Sequence, residues 1–167
     1  MPLQRDPSLV PLSHDHHDAL LRVFHIRQAL RAGAELDAAA TATRQFFARD
    51  LVPHFRAEEE VLLPVLRTAL GAEHPLLAML VDDHRMLERL ARDLDGSPQR
   101  LSAFANLLER HIRFEERELF QQYQGHVPQA ARADVEAGVR RILNRPAGAP
   151  KMCDVPEDVA PLKWRER

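Results

Sequence analysis

Cysteine is nearly absent. The one thiol in 167 residues, Cys153, cannot form an intrachain disulfide, and no cysteine-based zinc or iron–sulfur site can be assembled. Charge of one sign is lacking too: the formal net charge is −2, and the arginines are interspersed with Glu and Asp. Neither nucleic acid nor an anionic membrane is indicated as a partner. No apolar run approaches the ~20 residues needed to span a bilayer. The opening residues, Met1 to Pro7, lack the apolar core of a signal peptide, so a cytoplasmic location is expected. Strand-like alternation is missing. So are a glycine-rich phosphate loop and the Gly-x-Ser-x-Gly elbow, which leaves nucleotide-binding and classical hydrolytic chemistry without support.

What is there is helix. Hydrophobic residues make up 45% and charged residues 29%, the balance of a globular domain with room for a core. A first helix is expected after Pro11, with Ser13 as N-cap, running to about Ala32 and stopping at Gly33. A second runs from about Leu36 to Leu70 and stops at Gly71; Pro53 and Pro64 each remove a backbone donor and are expected to kink it. The third opens at Pro75 and ends before Asp95. The fourth follows Ser97 to about Gln124, with Gly125 as its stop. Short connections make neighbours antiparallel. The expected fold is all-α, an up-down-up-down four-helix bundle over residues 1–145. A short fifth helix from Pro128 to Asn144, with Val135, Val139 and Ile142 on one face, would cover a bundle end or serve a subunit contact in a homodimer. Residues 146–167 read as an extended proline-rich tail, which Trp164 could anchor.

Two His-x-x-x-Glu pairs dominate, His54/Glu58 and His111/Glu115, and each follows a helix holding an Asp-His step, Asp15-His16 or Asp83-His84. Residues four apart share a helix face, so each pair can aim an imidazole and a carboxylate at one point. On a wheel at 100° per residue, Ala19, Leu20, Val23, Phe24 and Leu30 fall within about 80° of His16, which places it in the apolar stripe. His17 lies at the stripe's edge and is the alternative for that helix. Phe47, Leu51, Val61 and Val65 share the face of His54 and Glu58; Leu77, Leu80, Leu87 and Ala91 flank His84; Phe104, Leu107, Leu108 and Phe114 flank His111 and Glu115.

A lone histidine on an apolar face is usually a hydrogen-bonded core residue, and a lone His-x-x-x-Glu is usually a surface pair. Four inward histidines with two inward glutamates differ, because buried carboxylates are costly unless paired or metal-bound. No lysine occurs before Lys151, so a metal is the simplest counter-charge. Imidazole and carboxylate without thiolate suit iron, manganese or zinc. Two carboxylates able to bridge favour two ions, each with two nitrogens and two oxygens. A bridging oxo or hydroxo group would then leave a position open for a small molecule.

These elements resemble the hemerythrin-like (HHE cation-binding) family: Asp15-His16, His54-Phe55-Arg56-Ala57-Glu58-Glu59, Asp83-His84 and His111-Ile112-Arg113-Phe114-Glu115-Glu116, over roughly residues 10–124. The resemblance implies two non-haem iron ions that meet oxygen, nitric oxide or peroxide, with His16, His54, His84 and His111 as terminal ligands and Glu58 and Glu115 as bridges. The pattern departs from the oxygen carriers at Glu88, where those have a further histidine one turn beyond His84. Glu88 reads as a surface partner of Arg85 or Arg92 rather than a ligand. Glu118 would sit at the wet end of the bundle or act as an acceptor for a ligand histidine. Glu59, Glu60 and Glu116 read as solvated. Three functions compete: a binding, sensing or iron-handling protein, more than a classical enzyme; repair of iron–sulfur clusters, although the cysteine-bearing domain common in relatives with that role is lacking; and an interaction module without catalysis.

Overall fold

The computed structural model describes residues 5–144, all of whose regular elements are helical. The tail expected over 146–167, with Trp164 and Cys153, lies outside the described residues. A 3₁₀ turn, Pro7–Leu9, leads into α1, Val10–Ala32. Asp6, not Ser13, caps this start: its carboxylate accepts from the Ser8 N–H at 3.0 Å. Two prolines, Pro7 and Pro11, occupy first-turn positions where no N–H is needed, so the chain turns helical earlier than the Ser13 signal indicates. Gly33 closes α1 in the left-handed region at φ 61°, which a residue with a Cβ adopts only with strain.

The second helix, α2, occupies 36–70 without a break. Two of its turns, Phe47–Leu51 and Glu58–Leu62, are π-helical. Val52 N–H reaches back five residues to the Phe47 carbonyl and Leu63 N–H to that of Glu58, each immediately before a proline. The wider turn relieves the clash between a proline ring and the carbonyl four residues earlier. Pro53 and Pro64 are thus absorbed by π turns and do not end the helix. Helix α3 is Pro75–Arg92. Helix α4 occupies 98–126, with a π turn at Glu115–Leu119 that no proline explains, and it runs through Gly125 to His126. Helix α5 is Gln129–Ile142.

Buried side chains form two apolar layers. One joins Leu9 in the 3₁₀ turn and Leu12 at the start of α1, Leu62 and Leu66 late in α2, Leu77 and Leu80 early in α3, and Phe120 and Tyr123 late in α4. The other joins Val23 and Ile26 late in α1, Phe46 and Phe47 early in α2, Leu87 and Ala91 late in α3, and Phe104 and Leu108 early in α4. Starts of α1 and α3 meet ends of α2 and α4, so the bundle is up-down-up-down. Leu12, Leu66, Phe104 and Phe120 are fully buried, each contributing roughly 1.5–3 kcal/mol relative to exposure. Between the layers lies a polar belt.

Two expectations of the wheel change. Leu20 and Phe24 are 38% and 41% exposed: the core stripe of α1 is Leu12, His16, Ala19, Val23 and Ile26, and His16 stands at its edge rather than its middle. The fifth helix covers no bundle end. It lies along the seam between the start of α1 and the middle of α2, with Val135 and Val139 buried and Gly138 against Val61.

Candidate metal centre

The polar belt holds His16, His54, Glu58, His84, His111 and Glu115, all buried, Glu58 and Glu115 completely so. Nε2 of His16 lies 2.9 Å from Glu115 Oε2, and Nε2 of His54 lies 3.3 Å from Glu58 Oε1. On the other side, Nε2 of His84 is 3.2 Å from Glu58 Oε2, and Nε2 of His111 is 3.3 Å from Glu115 Oε1. Two groups with metal-holding geometry result: His16, His54, Glu58, Glu115 and Glu58, His84, His111, Glu115, the candidate donor atoms of each within 4.8 Å of one another. Both glutamates belong to both groups. Each opens a π turn, a local rewinding that recurs at functional sites.

Each outer nitrogen faces a carboxylate, and three of the four are hydrogen-bonded to it. Asp15 Oδ2 lies 3.2 Å from Nδ1 of His54, Glu116 Oε1 2.7 Å from Nδ1 of His16, Glu59 Oε1 2.7 Å from Nδ1 of His84, and Asp83 Oδ2 3.5 Å from Nδ1 of His111. The pattern is reciprocal. The Asp before each histidine of α1 and α3 serves the histidine of α2 or α4, and the Glu after each shared glutamate serves the histidine of α3 or α1. An Nδ1–H donated to a carboxylate fixes the tautomer in which Nε2 keeps its lone pair for a metal. The expectation that Glu116 is solvated is therefore corrected; Glu59 is exposed as expected, yet it also holds His84. In a π turn each residue advances by less than 100°, which swings Glu59 and Glu116 back toward the belt. Glu118 is exposed, and the acceptor role falls to Glu116.

The set suits a cation. Both oxygens of Glu58 and of Glu115 are buried with no aligned hydrogen-bond donor, and so is Nε2 of His84 and of His111. Nε2 of His16 and Nε2 of His54 face each other at 3.2 Å, a contact that needs a proton or a cation between the two nitrogens. Without a metal, protons serve. Burial pushes the His16 imidazole down, but Glu115 and Glu116 outweigh it and raise the pKa to about 8. Burial opposes the charge on His84 too, yet Glu58 and Glu59 raise it to about 9. Burial works against Glu58, and the His54 charge beside it carries its carboxyl well below the usual range.

Of the seven residues proposed from the sequence, six meet at this point. His17 does not: it faces solvent one residue past His16. Glu88 is exposed and outside both groups. Four helices converging on buried histidines and glutamates define a metal-binding bundle. The chain matches the Hemerythrin HHE cation binding domain over residues 8–123, and it belongs to that family. Among curated proteins and solved structures nothing matches. No helix among the described residues is long and apolar enough to cross a membrane.

Proposed function

We propose that the chain is a non-haem di-iron protein that binds or responds to oxygen, nitric oxide or peroxide, or handles iron under such stress. The observation that carries this reading is the sharing of Glu58 and Glu115 by two buried donor groups. His16 and His54 would hold one ion and His84 and His111 the other, with both glutamates spanning the pair. Nitrogen and carboxylate oxygen without thiolate match iron, with zinc or manganese as competitors. Such a pair, once bound, supplies reversible one-electron chemistry toward a small oxidant or nitric oxide.

The chain's own residues supply the rest. The carboxylates at the Nδ1 positions hold the rings in place, three by hydrogen bonds and Asp83 at 3.5 Å from His111, and would keep the Nδ1 proton so that Nε2 can face an ion. The two apolar layers close the belt above and below. Phe55 stacks on the His84 ring at 3.9 Å and Phe120 on the His16 ring at 5.5 Å, shielding both imidazoles. Anaerobic loading with ferrous salt should give about two irons per chain, followed by oxo-to-iron absorption on oxidation. Trace metal only would overturn the reading.

A further inference from the structure

The repeat relates the two halves of the centre, but their surroundings differ. On the His16 half, Glu116 accepts from Ser13 Oγ at 2.7 Å and from the guanidinium of Arg5. That guanidinium lies 5.0 Å over the Phe120 ring, which stacks on His16. The segment carrying Arg5 is tied down in turn. Asp6 N–H donates to Gln124 Oε1 at 3.0 Å, the Asp6 carboxylate accepts from Arg132 at 2.7 Å, and the Ser8 and Tyr123 hydroxyls lie 2.9 Å apart. A strap of residues 5–9 closes this half.

Among the described residues, the His84 half has no such closure. The residue three before His84 is Val81, which has no hydroxyl to offer where Ser13 offers one. Glu59 holds His84 with 42% of its side chain exposed, against 27% for Glu116. Before it opens a cavity of about 290 Å³ lined by His84, Glu59, Phe55, Val52, Arg85 and Glu88, among others. That is several times the ~30 Å³ share of a water molecule. Glu88 stands on the wall one turn beyond His84 and does not fill the space.

We infer that small ligands reach the centre through this cavity between α2 and α3 and meet the half held by His84 and His111, while the strap keeps the His16 half closed. The inference rests on the metal reading above. The wall selects the occupant: Val52 and Phe55 offer apolar surface, and arginines and glutamates at the rim offset one another. A neutral molecule or a monoanion of two or three heavy atoms fits that chemistry.

Azide is the probe, and its association with the iron-loaded, oxidised protein can be followed by stopped-flow absorbance. Val52 lies on the wall, 40% exposed, and is not part of the donor set. Val52→Trp should slow azide association by about tenfold or more, with iron content and the azide-free spectrum unchanged. Glu88→Trp, which narrows the cavity from the opposite helix, should do the same and serves if the first variant folds poorly. Arg5→Ala, which opens the strap, should give association at least as fast as that of the wild type. Normal iron content with wild-type rates in both tryptophan variants would overturn the access route alone, as would slower association in Arg5→Ala. Wild-type protein that loads no iron would overturn the metal reading and the route with it.

Discussion

Oε1 of Glu116 lies 2.7 Å from Nδ1 of His16, although Glu116 follows the shared carboxylate Glu115 by a single residue. One short stretch of α4 therefore touches His16 on both ring nitrogens, since Glu115 meets Nε2 at 2.9 Å. The π turn beginning at Glu115 makes this double grip feasible.

Removing the outer grip should loosen the metal without dismantling the fold. Glu116→Gln keeps the shape but removes a carboxylate that, after Glu115, makes His16 basic, and metal affinity should fall roughly 10- to 100-fold. Glu59→Gln should do the same through His84. Competition with a chelator measures it, with thermal unfolding of the metal-free variants as control. Unchanged affinity in both would show that these carboxylates are bystanders.

The metal-free protein should lose stability as pH rises. The folded pKa of His16 is raised to about 8 and that of His84 to about 9, from 6.5. A raised folded value stabilises fully below the unfolded value and is lost as pH climbs through the folded one, a contribution on the order of 2 kcal/mol from His16 alone. Thermal unfolding without metal should therefore show a lower midpoint at pH ~9.5 than near neutrality. Loaded protein should escape this loss, because metal replaces the protons and binds more tightly as pH rises. A metal-free protein that gains stability on the alkaline side would contradict the assignment.

The layers on either side of the belt should differ sharply from the exposed face of α1. Phe104 is fully buried, so Phe104→Ala should cost about 3–5 kcal/mol in urea unfolding. Leu21 is 47% exposed, and Leu21→Ala should stay within about 0.5 kcal/mol. Equal effects would place the core elsewhere.

Helix α5 depends on a close approach to α2. A Cβ at Gly138 would lie 2.9 Å from Val61 Cγ1, so Gly138→Val must push the two helices apart. Faster hydrogen exchange in residues 129–142, with the four main helices still protected, is the expected result. Uniform protection would mean that α5 does not need this contact.

Much of this was legible in the residue pattern because α-helical spacing is regular. His54 with Glu58 and His111 with Glu115 share a face by spacing alone, and Asp83-His84 and Asp15-His16 complete the set. The missed roles of Glu59 and Glu116 trace to the same rule: a wheel at 100° assumes an unbroken α-helix, and the chain winds differently at Glu58 and Glu115. Pro64 hints at the first of these turns, but nothing in composition marks the second. Leu20 and Phe24 misled because apolar residues are also common on surfaces. Which flank of His16 faces the core depends on how α1 sits against α2 and α4, a tertiary fact. His17 lost to His16 for that reason.

An anomalous difference map from crystals of iron-loaded protein, collected at the iron edge, tests the central claim most directly. Two iron peaks should lie inside the bundle, one bounded by His16 and His54, the other by His84 and His111, with Glu58 and Glu115 between them. A single peak, peaks confined to the surface, or none would contradict it.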